Sequence, residues 1–371
     1  MLKKSSPILI ILILIFCTWF IFYSSMPGKE SAAEIPGTEF STERAFQHIE
    51  NIAQTPHYVG SIEHSRVRNY IVSELQELGL EVQMQEGYNL NNEGVITRPQ
   101  NILARIPGSG AGSALLLMSH YDSAGHSSPG AADAASGVAT ILEGIRAFLE
   151  SDEANKNEIL LLFTDAEELG LNGADLFVKE HPWAKNVGLA INFEARGSGG
   201  NSFMLLETNS GNAALIREFI KANPKYPVTN SLAYSVYKML PNDTDLTVLR
   251  EQANINGYNF AFIDDHFDYH TARDIPENLD RETLAHQGSY LMPLLDYFKD
   301  ANISELDSEE DLIYFSLPVG NIISYPFSYI FPMLILCFIL FFLVLGYGIF
   351  SKKNFLRSVL NGMNPFFISL L

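Results

Sequence analysis

Apolar residues are concentrated in two uncharged runs, residues 7–23 near the N-terminus and residues 322–351 near the C-terminus. At about 1.5 Å per helical residue, the first run spans roughly 25 Å and falls a little short of a ~30 Å hydrocarbon core. The stretch 328–350 within the second run is long enough to cross that core with some tilt. We predict a membrane anchor over 1–26, with a signal sequence as the alternative, and a transmembrane helix over 328–350.

Between these runs, short apolar stretches alternate with amphipathic helical patterns. Helical spacing is clear in Val67, Ile71 and Leu75, which recur at four-residue steps before Gly79. The strand candidates are 101–106, 114–119, 158–164, 188–193 and 259–263. The helix candidates are 135–150, 174–181, 212–222, 244–253 and 279–298. Continuous apolar strands separated by helices favour a mostly parallel sheet covered on both faces. We therefore predict an α/β fold, a three-layer α/β/α sandwich flanked by transmembrane helices.

The same patterns define the domain organisation. The remaining predicted segments are a linker over 27–42, a globular domain over 43–300, a second linker over 301–327 and a cytoplasmic segment over 351–371, whose apolar end we expect to begin a further membrane region. Lysines precede the first apolar run, and Lys352, Lys353 and Arg357 follow the second. Because Lys and Arg concentrate on the cytoplasmic side of membranes, we expect both termini in the cytoplasm and the globular domain on the extracytoplasmic face, extracellular or lumenal.

Charge and cysteine content narrow the possible functions. The chain has 24 basic and 43 acidic residues, a net charge of −19, and no sustained basic stripe, which argues against nucleic-acid binding. The acidic excess is typical either of a solvated surface or of cation binding. Both cysteines, Cys17 and Cys337, lie in the apolar runs. The globular domain therefore holds no disulfide, and any metal in it must be bound by His, Asp or Glu.

Histidines and carboxylates follow the predicted strands at the ends where α/β sheets bind ligands. The residues at these positions are His120 and Asp122, Asp133 at the start of a helix, Glu167 and Glu168, Glu194, and His270. Two adjacent acidic residues, or a single histidine on a loop, usually lie at the solvated surface without binding a metal. Four consecutive strand ends that each carry a metal-ligating residue type are not expected by chance.

The residue types suit two metal ions. His120, Asp133 and Glu194 can bind one ion, while Asp133, Glu168 and His270 bind the other, with Asp133 as the bridge. Zinc accepts imidazole nitrogen and carboxylate oxygen, and manganese or cobalt are alternatives. Such a pair lowers the pKa of bound water and polarises a carbonyl.

Two acidic residues near these ligands remain available for other roles. Glu167 is free to take a proton from the water and deliver it to a leaving amine. Asp122 can orient the imidazole of His120.

The motifs SHYDS, GAADAASG, TDAEELGLNGA, NFEARG and DYHTARD, spread over about residues 43–300, resemble those of peptidase family M28 in the family's order. Within the family the chain is most similar to the membrane-anchored branch of vacuolar membrane proteases and endoplasmic reticulum metallopeptidases. The resemblance implies a phosphorylase/hydrolase-like fold and a co-catalytic zinc pair, two Zn²⁺ per chain. It implies the five ligand positions already named, with Asp133 bridging, Glu167 as the general base and Asp122 as the His-orienting aspartate.

The predicted function is therefore a membrane-anchored di-zinc aminopeptidase that hydrolyses peptide N-termini by metal-hydroxide attack, with Glu167 as general base. Its expected partners are peptide substrates and the lipid bilayer, and its oligomeric state is open. A carboxypeptidase of the same fold is one alternative, and an inactive ectodomain acting as receptor or scaffold is another. Glutamine cyclisation is disfavoured because that branch normally uses one zinc ion. A transporter is disfavoured because one or two spans are too few for a pathway.

Three further polar residues near these motifs have open roles. Asp243, in the segment that begins at Leu240, is a candidate neighbour of the site, and Asp274 after His270 is another. For Arg196 we expect a salt bridge within the acidic edge of the site, with substrate contact as the alternative.

Overall fold

A computed structural model describes most of the chain in two units, 1–324 and 325–371. The described residues are 7–28, 35–92, 94–125, 127–241, 243–318, 320–351 and 355–369. The first unit contains a seven-stranded sheet in the order β1-β4-β6-β5-β7-β9-β8. The strands are β1 Val82–Glu86, β2 Asn89–Leu90, β3 Ile96–Thr97, β4 Gln100–Ile106, β5 Ala114–His120, β6 Ile159–Thr164, β7 Val187–Ala195, β8 Gly199–Glu207, β9 Gly257–Asp264, β10 Leu312–Leu317 and β11 Asn321–Pro326.

Parallel pairing is confined to the middle of the sheet. Strands β6, β5, β7 and β9 run parallel to one another, whereas β1, β4 and β8 join the sheet by antiparallel pairing. The α/β prediction is confirmed, but the sheet is mixed rather than mostly parallel. The sequence pattern missed β1 and β8. Strand β1 has no buried residue, and β8 opens with two glycines, so neither shows a continuous apolar run.

Helices cover both faces of this sheet. The helices of the first unit are α1 Pro7–Ser24, α2 Thr42–Ile52, α3 Ile62–Glu77, α4 Gly137–Glu150, α5 Asn172–Glu180, α6 Ala213–Ala222, α7 Ser231–Met239, α8 Asp245–Ala253 and α9 Arg281–Phe298. Alternate residues of β5 enter different cores: Leu115 and Leu117 pack with α2, α4 and α9, while Leu116 and Met118 pack with α5 and α8. This two-sided burial makes the domain a three-layer sandwich.

The helical spacing of Val67, Ile71 and Leu75 lies in α3, and a separate helix, α2, precedes it. Ser41 caps α2 by accepting a hydrogen bond from the backbone N–H of Arg44, and Ser61 caps α3 in the same way at His64. Pro56 and Gly60 lie in the loop between them, where proline removes a backbone donor and Gly60 adopts a φ of 87°.

The two predicted linkers differ in structure. Residues 301–327 contain β10 and β11, and within this segment Ile303, Leu306 and Tyr314 are buried in the main core. These buried side chains tie much of the segment to the domain. Of the predicted linker 27–42, the structure describes residues 27–28 and 35–42. Near its end, Phe40 is buried in the core.

The second unit consists of α10 Ile330–Ser351 and α11 Phe355–Ser369. The stretch Phe327–Ser351 has 25 residues, a mean hydropathy of 2.8 and almost no burial, which is sufficient by length and composition to cross a membrane. No other helix in the described ranges meets both criteria. The apolar helix Ile8–Ser24 near the N-terminus is shorter.

The acid sensitivity of the fold can be tested at His286, which is buried on α9. Its Nδ1 accepts a hydrogen bond from the Ser202 N–H at 3.1 Å, and its Nε2 donates to the Tyr226 carbonyl at 2.7 Å. Burial lowers the pKa of His286 to about 4, although the Tyr226 carbonyl opposes the shift. Because the unfolded chain binds this proton near pH 6.5, stability is full above pH 6.5 and falls as the pH drops toward 4.

We expect His286 to contribute up to about 1.4 kcal/mol per pH unit to this loss. Urea unfolding of the full chain in detergent with chelator, measured between pH 7 and 5, should give a shallower pH dependence for His286→Gln. The exposed His266→Gln variant is the control and should retain the wild-type slope. Equal slopes for wild type and His286→Gln would contradict the assignment.

Candidate metal centre

The site lies at one edge of the sheet, where β5, β6, β7 and β9 all end. His120 is the last residue of β5 and pairs in register with Thr164 at the end of β6. Glu194 is near the end of β7, and His270 follows β9. Asp133 is brought to the same edge by an irregular turn over Ala131–Ser136, which leads into α4. The parallel middle of the sheet therefore brings together side chains that are far apart in sequence.

Asp133 lies between two histidines. Its Oδ1 is 3.1 Å from Nε2 of His120, and its Oδ2 is 3.1 Å from Nε2 of His270. Nε2 of His120 is also 3.6 Å from Oε2 of Glu194, while Nε2 of His270 is 3.1 Å from Oε2 of Glu168. The five predicted ligands thus form two groups that share one carboxylate.

The proton affinities in this cluster reflect buried, opposed charges. Burial raises the pKa of Asp133, but hydrogen bonds from His120 and His270 outweigh it and hold the pKa well below its usual range. Burial lowers the pKa of His270, yet Asp133 and Glu168 raise it to about 9. Burial, with the charge of Asp133, raises the pKa of Glu168 to about 7. Without a cation, His270 and Glu168 bind protons more readily, and these protons offset the negative charge of the buried carboxylates.

The donor set fits zinc. Imidazole nitrogens and carboxylate oxygens are zinc ligands, and ligand atoms of His120, Asp133 and Glu168 lie within 4.8 Å of one another. Oε1 of Glu168 is buried and has no hydrogen-bond partner among the described residues. A buried carboxylate oxygen without a partner costs free energy, and a bound cation removes that cost.

Asp122 supports both the first histidine and the turn after β6. Nδ1 of His120 donates to the backbone carbonyl of Asp122 at 2.9 Å, whereas the nearer carboxylate oxygen of Asp122 is 3.7 Å away. That carboxylate instead accepts the backbone N–H groups of Glu167 at 3.1 Å and Glu168 at 3.3 Å. Asp122 therefore holds the backbone of Glu167 and Glu168 in position.

Glu167 is enclosed by the cluster without being one of the five predicted ligands. Burial raises the pKa of Glu167 well above its ordinary value; His120 opposes this shift, and Glu194 adds to it. The arrangement gives one proton-binding carboxylate beside a group of potential metal ligands.

Several supporting residues were not found by the sequence analysis. His64 contacts Asp165 through Nε2 and Oδ1 at 2.7 Å, with both side chains buried. Asp245 is fully buried and accepts a hydrogen bond from Thr164. The sequence could have indicated Asp165, because this residue directly follows β6, the apolar strand that precedes Glu167 and Glu168. No local pattern indicates that His64, about a hundred residues away, reaches it.

Asp274 and Asp243, both open in the sequence analysis, occupy different positions. The carboxylate of Asp274 accepts the backbone N–H of Ala132 at 2.6 Å and that of Asp133 at 3.3 Å, so it holds the turn that carries the bridging residue. Burial, with the charge of Asp133, raises the pKa of Asp274 to about 7. Asp243 lies in the wall of the open space beside the cluster.

Two adjoining cavities open at the cluster. One has a volume of about 460 Å³ and the other, more enclosed, about 50 Å³. Both are lined by Glu167, Arg196, Asp243 and Tyr269. A larger cavity of about 750 Å³ beside α4 and α9 contains none of the predicted site residues. The small cavity has an apolar wall, formed by Leu205, Ala261 and Ile263.

The salt bridge predicted for Arg196 is not formed. In the described part of the chain no carboxylate oxygen lies within 4.0 Å of its guanidinium, which instead lies 5.7 Å from the ring centre of Tyr269. The acidic neighbour that suggested an ion pair, Glu194, instead places Oε2 3.6 Å from Nε2 of His120.

Comparison with known proteins identifies relatives of the whole domain. A model of peptidase family M28 matches residues 101–295. A vacuolar membrane protease of Candida dubliniensis is 30% identical over 342 residues, which cover 88% of this chain and 35% of that protein. Endoplasmic reticulum metallopeptidase 1 of Mus musculus is 30% identical over 282 residues, or 72% of this chain and 31% of that protein. The chain thus spans about a third of the length of the curated relatives it matches.

Solved structures share the fold at lower identity. A Zn-dependent exopeptidase from Parabacteroides distasonis gives a TM-score of 0.56 at 23% identity, covering 71% of this chain and 99% of that one. A glutaminyl cyclase from Porphyromonas gingivalis gives a TM-score of 0.56 at 22% identity, covering 69% and 98%. These likenesses confirm the predicted fold, and since one fold here hosts two activities, chemistry must be argued from the site.

Proposed function

Because the chain belongs to peptidase family M28, we propose that it is a membrane-anchored di-zinc metallopeptidase, and within that class an aminopeptidase. The observation that carries the proposal is the carboxylate of Asp133, whose two oxygens each lie 3.1 Å from a different imidazole. One carboxylate shared between two groups of His and Glu suits two adjacent dications.

His120, Asp133 and Glu194 would hold one zinc ion, and Asp133, Glu168 and His270 the other. When bound, the two ions would lower the pKa of a water molecule and polarise the scissile carbonyl. The same positive charge would favour the ionised form of the surrounding carboxylates. The protein's own part is to keep these ligands in place, through Asp122 beneath the glutamates and Asp274 beneath the bridging residue.

Glu167 is the general base in this proposal. It lines both cavities, and burial gives its carboxylate a raised affinity for protons. A carboxylate at that position accepts a proton from the attacking water and then delivers it to the leaving amine. Asp122 contributes by accepting the backbone N–H of Glu167 and thereby fixing its position.

We assign anchoring to the apolar helices at both ends of the domain. The helix within Phe327–Ser351 carries no charged residue and exposes its apolar side chains. Helix α1 is similarly apolar and exposed. Because basic residues flank the outer ends of both segments, we infer that the peptidase domain lies on the extracytoplasmic side.

The test is the identity of the residue released from a tripeptide such as Leu-Ala-Phe by the full chain in detergent with zinc. Release of Leu, with resistance of the N-acetylated peptide and cleavage of the C-amidated one, is the expected result. Release of Phe together with the dipeptide Leu-Ala, before any free Leu, would replace the aminopeptidase with a carboxypeptidase. No cleavage of any peptide, despite bound zinc, would favour the receptor or scaffold alternative.

A further inference from the structure

We propose that Arg196 binds a carboxylate of the substrate close to the scissile bond, so that peptides with a negative charge there are preferred. This inference rests on the proposed peptidase function and specifies the substrate class of the same site. It makes Arg196 a specificity-determining residue.

The backbone and its neighbours hold Arg196 at the mouth of the metal cluster. It directly follows β7, and its backbone N–H donates to the carbonyl of Phe262 on β9 at 2.8 Å. Its guanidinium lies 5.7 Å from the ring centre of Tyr269, and that ring stacks on His270 with centres 3.7 Å apart. The cationic group is therefore one aromatic ring away from a predicted zinc ligand.

The guanidinium has no acidic partner within the described residues, although the protein is strongly acidic. Several other arginines of the domain are paired with acids, for example Arg44 with Glu143 at 2.9 Å and Arg250 with Glu207 at 2.6 Å. An arginine left unpaired in a cleft keeps its planar fork of donors available. That fork matches the two oxygens of a carboxylate.

The two cavities at the cluster are lined mainly by acidic and neutral residues, so the charge of Arg196 stands out there. Among the described lining residues of both cavities, Arg196 is the one basic side chain. The acidic residues that line the cavity of about 460 Å³ are Glu167, Glu168, Asp175, Asp243 and Glu251. Such a surface repels an anionic peptide, so a single guanidinium determines where a substrate carboxylate can be accepted.

The carboxylate must belong to a residue next to the cleaved bond, because Arg196 shares both cavities with Glu167. Three sources have this chemistry: the C-terminal carboxylate of a dipeptide, an acidic side chain after the scissile bond, and an acidic side chain before it. Matched pairs of peptides separate them. The pairs are Leu-Ala and Leu-Ala-NH₂, Leu-Glu-NH₂ and Leu-Gln-NH₂, and Glu-Ala-NH₂ and Gln-Ala-NH₂.

The experiment measures kcat/KM for each pair with the zinc-loaded full chain in detergent. For at least one pair we expect the acid to be preferred over its neutral partner by about 10- to 100-fold. Arg196→Gln should remove that preference while retaining cleavage of the neutral peptides, and Arg196→Lys should restore part of it. Arg217→Gln is the matched control, because Arg217 forms an exposed pair with Glu310 away from the cleft. It should behave as wild type.

Three results would overturn the proposal. The first is a wild-type protein whose kcat/KM is no higher for the acidic peptide of any pair. The second is an Arg196→Gln variant that keeps the wild-type preference. An equal loss for acidic and neutral peptides would indicate that Arg196 acts on the reacting carbonyl instead. If wild type cleaves no peptide, the aminopeptidase proposal fails independently. Calorimetric titration with Leu-Ala and Leu-Ala-NH₂, and with the other two pairs, then decides the role of Arg196: equal affinities within every pair would overturn it.

Discussion

Replacing Glu167 with Gln should lower kcat for peptide hydrolysis by about 10²- to 10⁴-fold while about two zinc ions remain bound per chain. Glutamine has nearly the same shape but cannot take up the proton of the attacking water. The five predicted ligands are untouched by the change, so metal affinity should persist. Single-turnover kinetics and elemental analysis of the same preparation measure both quantities.

The matched control for this variant is Glu310→Gln, an equivalent change at an exposed surface glutamate. It should retain wild-type activity and metal content. Full activity in Glu167→Gln would show that another group moves the proton. Loss of zinc together with activity would instead make Glu167 a metal ligand, contrary to its separate position beside the two groups.

Asp133→Ala should lose both zinc ions and essentially all activity. The Asp133 carboxylate contacts both imidazoles, so its removal takes one ligand from each group at once. The acidic neighbours Glu168 and Glu194 would then remain buried beside the histidines with no bridging charge. Elemental analysis of the full chain purified with zinc gives the metal count, and circular dichroism verifies that the fold is retained.

Two further variants sharpen this test. His270→Ala removes a ligand from one group only, so it should retain about one zinc ion where Asp133→Ala retains none. Asp296→Ala changes an exposed aspartate on α9 and should keep both ions. A full metal complement in Asp133→Ala would contradict the bridging arrangement, whatever its activity.

The central part of the fold was predictable because its strands are buried on both faces. Strands such as β5 and β6 consist of continuous apolar residues, and the polar residues that follow them must therefore meet at one sheet edge. The edge strands were not predictable in the same way. A strand such as β1 has polar, half-exposed residues, and its pairing with β4 is a tertiary property.

The candidate site shows the same division. The residues that gather at the cluster lie at the ends of buried strands, shortly after them, or at the start of a helix, and the local sequence reveals these positions. The contact between His64 and Asp165 joins distant segments and leaves no local trace. For Arg196, sequence proximity to Glu194 suggested an ion pair, but the Glu194 carboxylate lies beside the imidazole of His120, and the guanidinium lies beside the ring of Tyr269. Its free guanidinium is visible only in three dimensions.

The most direct test of this account is the metal content of the purified full chain, paired with hydrolysis of an aminoacyl reporter before and after chelation. The account predicts about two zinc ions per chain, loss of cleavage on chelation, and recovery when zinc is returned. A protein that binds no metal when zinc is supplied, or that cleaves equally well after complete chelation, would contradict it.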